Sequence, residues 1–205
     1  MSAQQGTAEW LQEKCGYASA SEFAAIVAKG DRIGCRKYMR QIVAERLTGK
    51  PIENRAYGNW QKNLDRGKEQ EPLARAAYEE ATGNLVEQVG FIKHQMIMAG
   101  CSPDGLIGSD GGCEIKSVIP TKQLDTILAG KCPTEHIPQV QGGMWITERK
   151  WWDFCSFSPD LPENLRLYIF RVERDEAYIA TLQTEVISFL LECKELEDKL
   201  RGRIA

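Results

Sequence analysis

Residues 102–116 constrain this chain more than any other stretch. Gly108-Ser109-Asp110-Gly111-Gly112 is turn chemistry that folds two strands back on one another. It brings Ser102-Pro103-Asp104-Gly105 and Glu114-Ile115-Lys116 face to face. Side chains alternate along a strand, so Glu114 and Lys116 point one way and Ile115 points into the opposite layer. Asp104 closes the preceding strand, ten positions before Glu114, and comes within reach of it across the hairpin. The expectation is a small site of two carboxylates and one ammonium. An acid-x-Lys triplet alone is equally compatible with a solvated Glu–Lys pair on an exposed hairpin. The Pro-Asp-Gly ahead of it and the apolar flanks favour the site.

Two carboxylates at the end of a sheet are hard oxygen donors and suit a hard divalent cation such as Mg²⁺. A lysine beside such an ion can hold and orient a water, and metal-bound water is a far better nucleophile than free water. A phosphodiester is the natural substrate, because its charge builds up where cations can offset it.

Helical periodicity predicts helices over 21–29 and 35–48, the second ended by Gly49-Lys50-Pro51. A longer helix is predicted over 59–82, bent or broken near Gly67. Strands are expected at 85–93, 95–101, 112–118, 151–158 and 166–172, with helices at 121–128 and 133–147 between them. The tail over 177–200 repeats apolar residues at helical spacing from Leu182 to Leu200, which predicts an amphipathic helix. Mixed strands with helices on both sides give an α/β sandwich, expected as one domain over 1–205. Trp151 and Trp152 are adjacent and must face opposite sides of their strand; core packing and base stacking are the two uses open to them.

The seven cysteines contain no Cys-x-x-Cys pair and are odd in number, so zinc knuckles and redox dithiols are not expected, and the thiols read as reduced and packed. No apolar run is long enough to span a membrane and residues 1–9 lack a signal core, which places the protein in the cytoplasm. The net charge of −3 argues mildly against nucleic acid, although Lys29, Arg32, Arg36, Lys37 and Arg40 form a local basic cluster.

A wider set of segments joins the hairpin. In order, they are Ala20-Ser21-Glu22-Phe23, Arg66-Gly67-Lys68-Glu69-Gln70-Glu71, Ala99-Gly100-Cys101-Ser102-Pro103-Asp104-Gly105-Leu106, Glu114-Ile115-Lys116 and Gln139-Val140-Gln141-Gly142-Gly143-Met144-Trp145. The set resembles the PD-(D/E)xK nuclease superfamily, and within it the phage lambda exonuclease-like (YqaJ-type) alkaline exonucleases of viral recombination. The resemblance implies a restriction-endonuclease-like core, a mixed central β-sheet flanked by helices on both sides. It implies that Asp104, Glu114, Glu71 and the main-chain carbonyl of Ile115 hold metal and that Lys116 positions the attacking water. Gln141 matches the glutamine of a Gln-x-x-x-Tyr motif and would support the site; Trp145 stands in place of the tyrosine, which removes any hydroxyl role there. Ser21, Lys14 and Arg32 would contact a terminal 5′-phosphate, with Lys14 where relatives place an arginine. Glu71 at a helix start and Ser21 before a helix would equally suit dipole and capping roles.

By this resemblance the protein is expected to be a Mg²⁺-dependent 5′-to-3′ exonuclease acting on double-stranded DNA ends. Mn²⁺ would substitute, and two ions per site are expected. The product would be 3′ single-stranded overhangs for phage-type recombination. A ring-shaped homotrimer, a phage single-strand annealing protein as partner, no membrane association and a bacterial host cell carrying the phage or prophage complete the expectation. The alternatives are an endonuclease or junction-resolving member of the superfamily, and a non-catalytic DNA-recombination scaffold.

Overall fold

The computed structural model describes residues 3–28, 30, 32–52 and 59–203. Lys29 of the basic cluster lies outside them. In chain order the elements are α1 (Ala8–Lys14), β1 (Ala18–Ser19), a 3₁₀ turn (Ala20–Glu22), α2 (Phe23–Val27), α3 (Ile33–Thr48) and α4 (Asn59–Thr82). Then come β2 (Ile92–Lys93), β3 (Ala99–Cys101), β4 (Gly105–Ile107), β5 (Gly111–Ser117), α5 (Pro120–Ala129), a 3₁₀ turn (Thr134–His136) and α6 (Ile137–Thr147). The chain closes with β6 (Trp151–Phe157), α7 (Glu163–Arg166), β7 (Leu167–Glu173) and α8 (Glu176–Arg201).

The larger sheet has the order β4-β5-β6-β7, with β5 and β6 parallel and the outer pairs antiparallel. The β5–β6 crossover carries α5 and α6, as parallel pairing requires. A smaller sheet, β1-β3-β2, sits beside it. This is the mixed α/β architecture expected, with helices on both sides of the sheet.

Alternation along β5 sorts its residues into two layers. Cys113 and Ile115 join Cys155, Phe157, Ala74 and Tyr78 in an apolar cluster under α4. On the other face Trp152, Phe154, Val140 and Met144 pack beneath α6. Glu114 and Lys116 therefore lie on the α6 side. A third cluster joins α2, α3, α6 and α8 through Phe23, Tyr38, Ile42, Leu182 and Phe189. Close approach of α6 to α2 depends on Gly142, where a Cβ would come within 2.5 Å of the Phe23 ring.

Several expectations are corrected. Helix α4 runs unbroken through Gly67, and the proline inside it is Pro72. Of the strand expected over 85–93, only Ile92–Lys93 joins a sheet, and Glu87 makes a single bridge to Leu106. That span passes the short β4 and has no second partner to extend the ladder. The helix expected over 21–29 resolves into a 3₁₀ turn and the five-residue α2. Helix α1 was not expected; Thr7 caps it by accepting from the Trp10 N–H at 3.2 Å.

Candidate active site

The hairpin positions the acids. Three residues, Gly108, Ser109 and Asp110, link β4 to β5, and Gly108 takes a positive φ of 52°. Arg149 clamps the turn, donating through Nη1 to the carbonyls of Gly108 (2.8 Å) and Gly111 (2.6 Å). Strand β4 covers only the beginning of β5, and its first pair is Gly105↔Cys113. Beyond Cys113 that edge of β5 has no partner strand among the described residues, and the Asp104 carboxylate takes the place of one. Its Oδ2 accepts from the Ile115 N–H at 2.6 Å. Asp104 thus stands at the mouth of β4 rather than at the end of a preceding strand. Gly105 must be glycine beside it, because a Cβ would come within 1.9 Å of Val86 Cγ1.

Glu114 is 3% exposed on the facing strand. Its Oε1 meets Lys116 Nζ at 2.6 Å and accepts from Gln139 Nε2 at 2.7 Å. Burial pushes the Asp104 carboxyl well above the usual range; Glu114 and Glu71 push it further, against the pull of Lys116 and the Ile115 N–H. For Lys116 burial acts to lower the pKa, but Glu114, Asp104 and Glu71 outweigh it and the ammonium is held above its ordinary value. Among the described residues no cation forms a salt bridge with Asp104.

Two cavities meet at Asp104, with Gln5 and Trp10 in their shared wall. The inner one, about 320 Å³, is lined by Asp104, Glu114, Lys116, Gln139, Lys14 and Ser21. The outer one, about 790 Å³, holds Glu71 and Arg75, which pair at 2.7 Å. Lys14 sits at the end of α1, above the Trp10 ring at 4.3 Å from its centroid. The junction after it is pinned at Gly16, which donates to Glu45 Oε2 (2.8 Å) and accepts from Arg46 Nε (2.9 Å). Burial lowers the Lys14 pKa, with Glu22 and Glu45 acting against that. Ser21 does not cap a helix; its hydroxyl lies 3.1 Å from that of Ser19.

Two expected site residues fall elsewhere. Gln141 is buried with its amide turned to the β7–α8 junction, donating to Glu173 O (2.9 Å) and accepting from Asp175 N (3.1 Å). Successive helix positions diverge by about 100°, so Gln139 and Gln141 cannot face the same way, and Gln139 is the one that meets Glu114. Arg32 lies outside the cleft: its guanidinium reaches Glu192 and Cys35, both at 3.3 Å. Sequence reasoning missed Gln139, Gln5, Trp10 and Arg75. Gln5 Nε2 bridges the carbonyls of Pro103 (2.6 Å) and Val89 (3.0 Å), tying the N-terminal segment to the loop that carries Asp104.

The donor set facing the cleft consists of hard oxygens: Asp104, Glu114 and the Ile115 carbonyl, which lies on the same strand edge as its N–H. Among the described residues no three acidic, histidine or cysteine side chains form a ready-made metal cage. Mg²⁺ does not require one, since it is commonly held by one or two carboxylates and keeps several waters. The residues present fit such an ion, and the charge deficit at Asp104 is of the sign that a cation corrects.

Residues 9–150 match the family described as the YqaJ-like viral recombinase domain. The chain is similar to the crystal structure of an alkaline exonuclease from Laribacter hongkongensis, at 38% identity and a TM-score of 0.87 over 97% of this chain and 98% of that one. It is similar to the same enzyme in complex with dAMP, at 37% identity and a TM-score of 0.88 over the same shares. A phage-related exonuclease from Haemophilus somnus 129PT shares the fold, at 15% identity and a TM-score of 0.62 over 92% of this chain and 96% of that one. Among curated proteins none matches.

Proposed function

The chain belongs to the YqaJ-like viral recombinase family, and from that membership we propose that it is a lambda exonuclease-like, Mg²⁺-dependent 5′-to-3′ exonuclease acting on double-stranded DNA ends. The observation that carries the reading is the convergence of Asp104, Glu114 and Lys116 with Lys14 and Ser21 on one cleft. The similarity to an alkaline exonuclease solved with a deoxynucleoside monophosphate supports it.

Asp104, Glu114 and the Ile115 carbonyl would hold the ion, and Glu71, across Asp104, would serve a second one. When bound, Mg²⁺ supplies charge against the developing phosphoryl oxygens and lowers the pKa of a water. Lys116 is kept as an ammonium by its acidic neighbours, so it acts as a donor that orients the attacking water beside the scissile phosphorus. Gln139 fixes the Glu114 carboxylate. Lys14 and Ser21 offer a cation and a hydroxyl to the terminal 5′-phosphate; lysine does so as a point charge rather than a bidentate fork. Mn²⁺ in place of Mg²⁺, a homotrimer around DNA and an annealing-protein partner belong to the same proposal and rest on the family resemblance.

The test uses a linear duplex with 5′-phosphate, the same duplex with 5′-hydroxyl, and a closed circle, each with and without Mg²⁺. Metal-dependent loss of the phosphorylated linear duplex with survival of the circle is the expected result. Cleavage of the circle would overturn the exonuclease assignment in favour of an endonuclease, and inertness toward all three would overturn catalysis.

A further inference from the structure

Beyond Lys116 the strand runs out of the catalytic cleft into a separate cavity of about 530 Å³ that none of the roles above uses. It opens at Val118, two residues past the lysine. At an ordinary strand rise that is about 6.6 Å. One wall is aromatic: His136 stacks on Phe154, ring centroids 5.1 Å apart and planes 23° from parallel. Ile119, 48% exposed, extends the apolar surface. His136 is held neutral, its pKa lowered to about 4 by burial and then by the charge of Lys116.

Three cations line the same cavity, Arg66, Lys122 and Lys131. Among the described residues none of them forms a salt bridge. Among the described residues Arg66 has a long contact to the Ser117 carbonyl (3.4 Å), and its buried Nε meets no acceptor there. Asp125 and Glu135 share the lining. Three cations interspersed with two acids do not suit a duplex backbone, whose phosphates would meet both acids. They do suit one nucleotide. A single phosphate can take the cations, a base can lie on the aromatic and aliphatic wall, and the two carboxylates can accept from exocyclic amino groups.

We propose that this groove, formed by α5, the His136 turn and the ends of β5 and β6, binds one unpaired deoxynucleotide unit beside the catalytic centre. This rests on the nuclease reading and adds to it a second nucleotide position outside the metal-binding cleft. The unit is the next one along the substrate strand or the mononucleotide just released; both present the same base and phosphate.

The test measures binding in EDTA, so that no cleavage occurs, and compares wild type with Lys122→Glu. Lys199→Glu, an exposed position on α8 with the same change in net charge, is the control. The probes are a duplex with a 5′-phosphorylated single-stranded overhang and free dAMP. Lys122→Glu is expected to weaken the overhang about tenfold and to flatten its salt dependence by about 0.7 in slope, one phosphate contact, while Lys199→Glu stays within about twofold. Loss of dAMP affinity alone would support the groove and assign it to the released product. Unchanged affinity for both probes, or an equal loss in Lys199→Glu, overturns the proposal. Because the measurement needs no hydrolysis, that failure is distinct from a wild-type protein that degrades no DNA, which would sink the nuclease reading instead.

Discussion

Two buried carboxylates lie on neighbouring strands of one sheet and face opposite layers, and their surroundings could hardly differ more. Asp153 of β6 is 2% exposed and fully matched. Arg171 grips both of its oxygens at 2.9 and 3.0 Å, and Tyr78 donates to it at 2.7 Å. Burial and the nearby carboxylate raise the Tyr78 pKa and keep it a phenol, and the Arg171 guanidinium lies 3.6 Å above the Trp151 ring. In the cleft Lys116 pairs with Glu114 and Arg75 with Glu71, whereas among the described residues no cation pairs with Asp104, and its pKa is raised. A structural carboxylate is paired with a permanent cation. Under the proposed function Asp104 lacks a permanent cation of its own, and a divalent ion would supply one.

Substitutions should separate the two sides. The largest effect is expected from Glu114→Gln or Lys116→Ala: a loss of DNA hydrolysis by about 10³-fold, read by release of nucleotides from an end-labelled duplex at a temperature where circular dichroism shows the variant folded. Comparable activity in either variant would break the assignment of the charged side. Next comes stability. Asp153→Ala strands Arg171 and Tyr78 and should cost about 3 kcal/mol, the lower end for a broken buried pair because Arg171 is half-exposed. That corresponds to a fall in midpoint of about 9 °C by calorimetry.

Asp104→Asn should act in the opposite direction and raise the midpoint of the metal-free protein. The folded-state pKa of Asp104 is raised, so its contribution is present at acid pH and is lost as the pH rises from the ordinary carboxylate range through the elevated one. The variant should remove that decline. A lowered midpoint in Asp104→Asn would show that the acids are matched after all. The smallest effects come from the two glutamines of α6. Gln139→Ala should reduce activity about tenfold with little change in stability, whereas Gln141→Ala should cost about 1–3 kcal/mol for the partners left unpaired and leave hydrolysis within about twofold.

That last pair also shows where sequence reading stops. The hairpin and the shared face of Glu114 and Lys116 were legible because turn residues and strand alternation act locally. The helix bearing the glutamines is buried nearly all round, from Pro138 to Ile146, so no apolar stripe marks which side meets the sheet. Pattern matching picked Gln141; packing chose Gln139. Helix α1 escaped notice for the reverse reason: it buries no residue, so only the Thr7 cap announced it. Arg32 was offered to the phosphate by its charge, but its left-handed backbone, φ 53° and ψ 21°, at the head of α3 and its partner Glu192 hold it elsewhere. The match between the wider segments and their positions around the cleft at Ser21, Lys14 and Glu71 was legible only as an ordered set.

Through its bridge Gln5, a residue near the amino end, braces the loop that carries Asp104, far along the chain, so changes to the segment around Gln5 would reach the wall of the cleft. Gln5→Ala would therefore loosen a loop about a hundred residues away in the chain, without touching either acid.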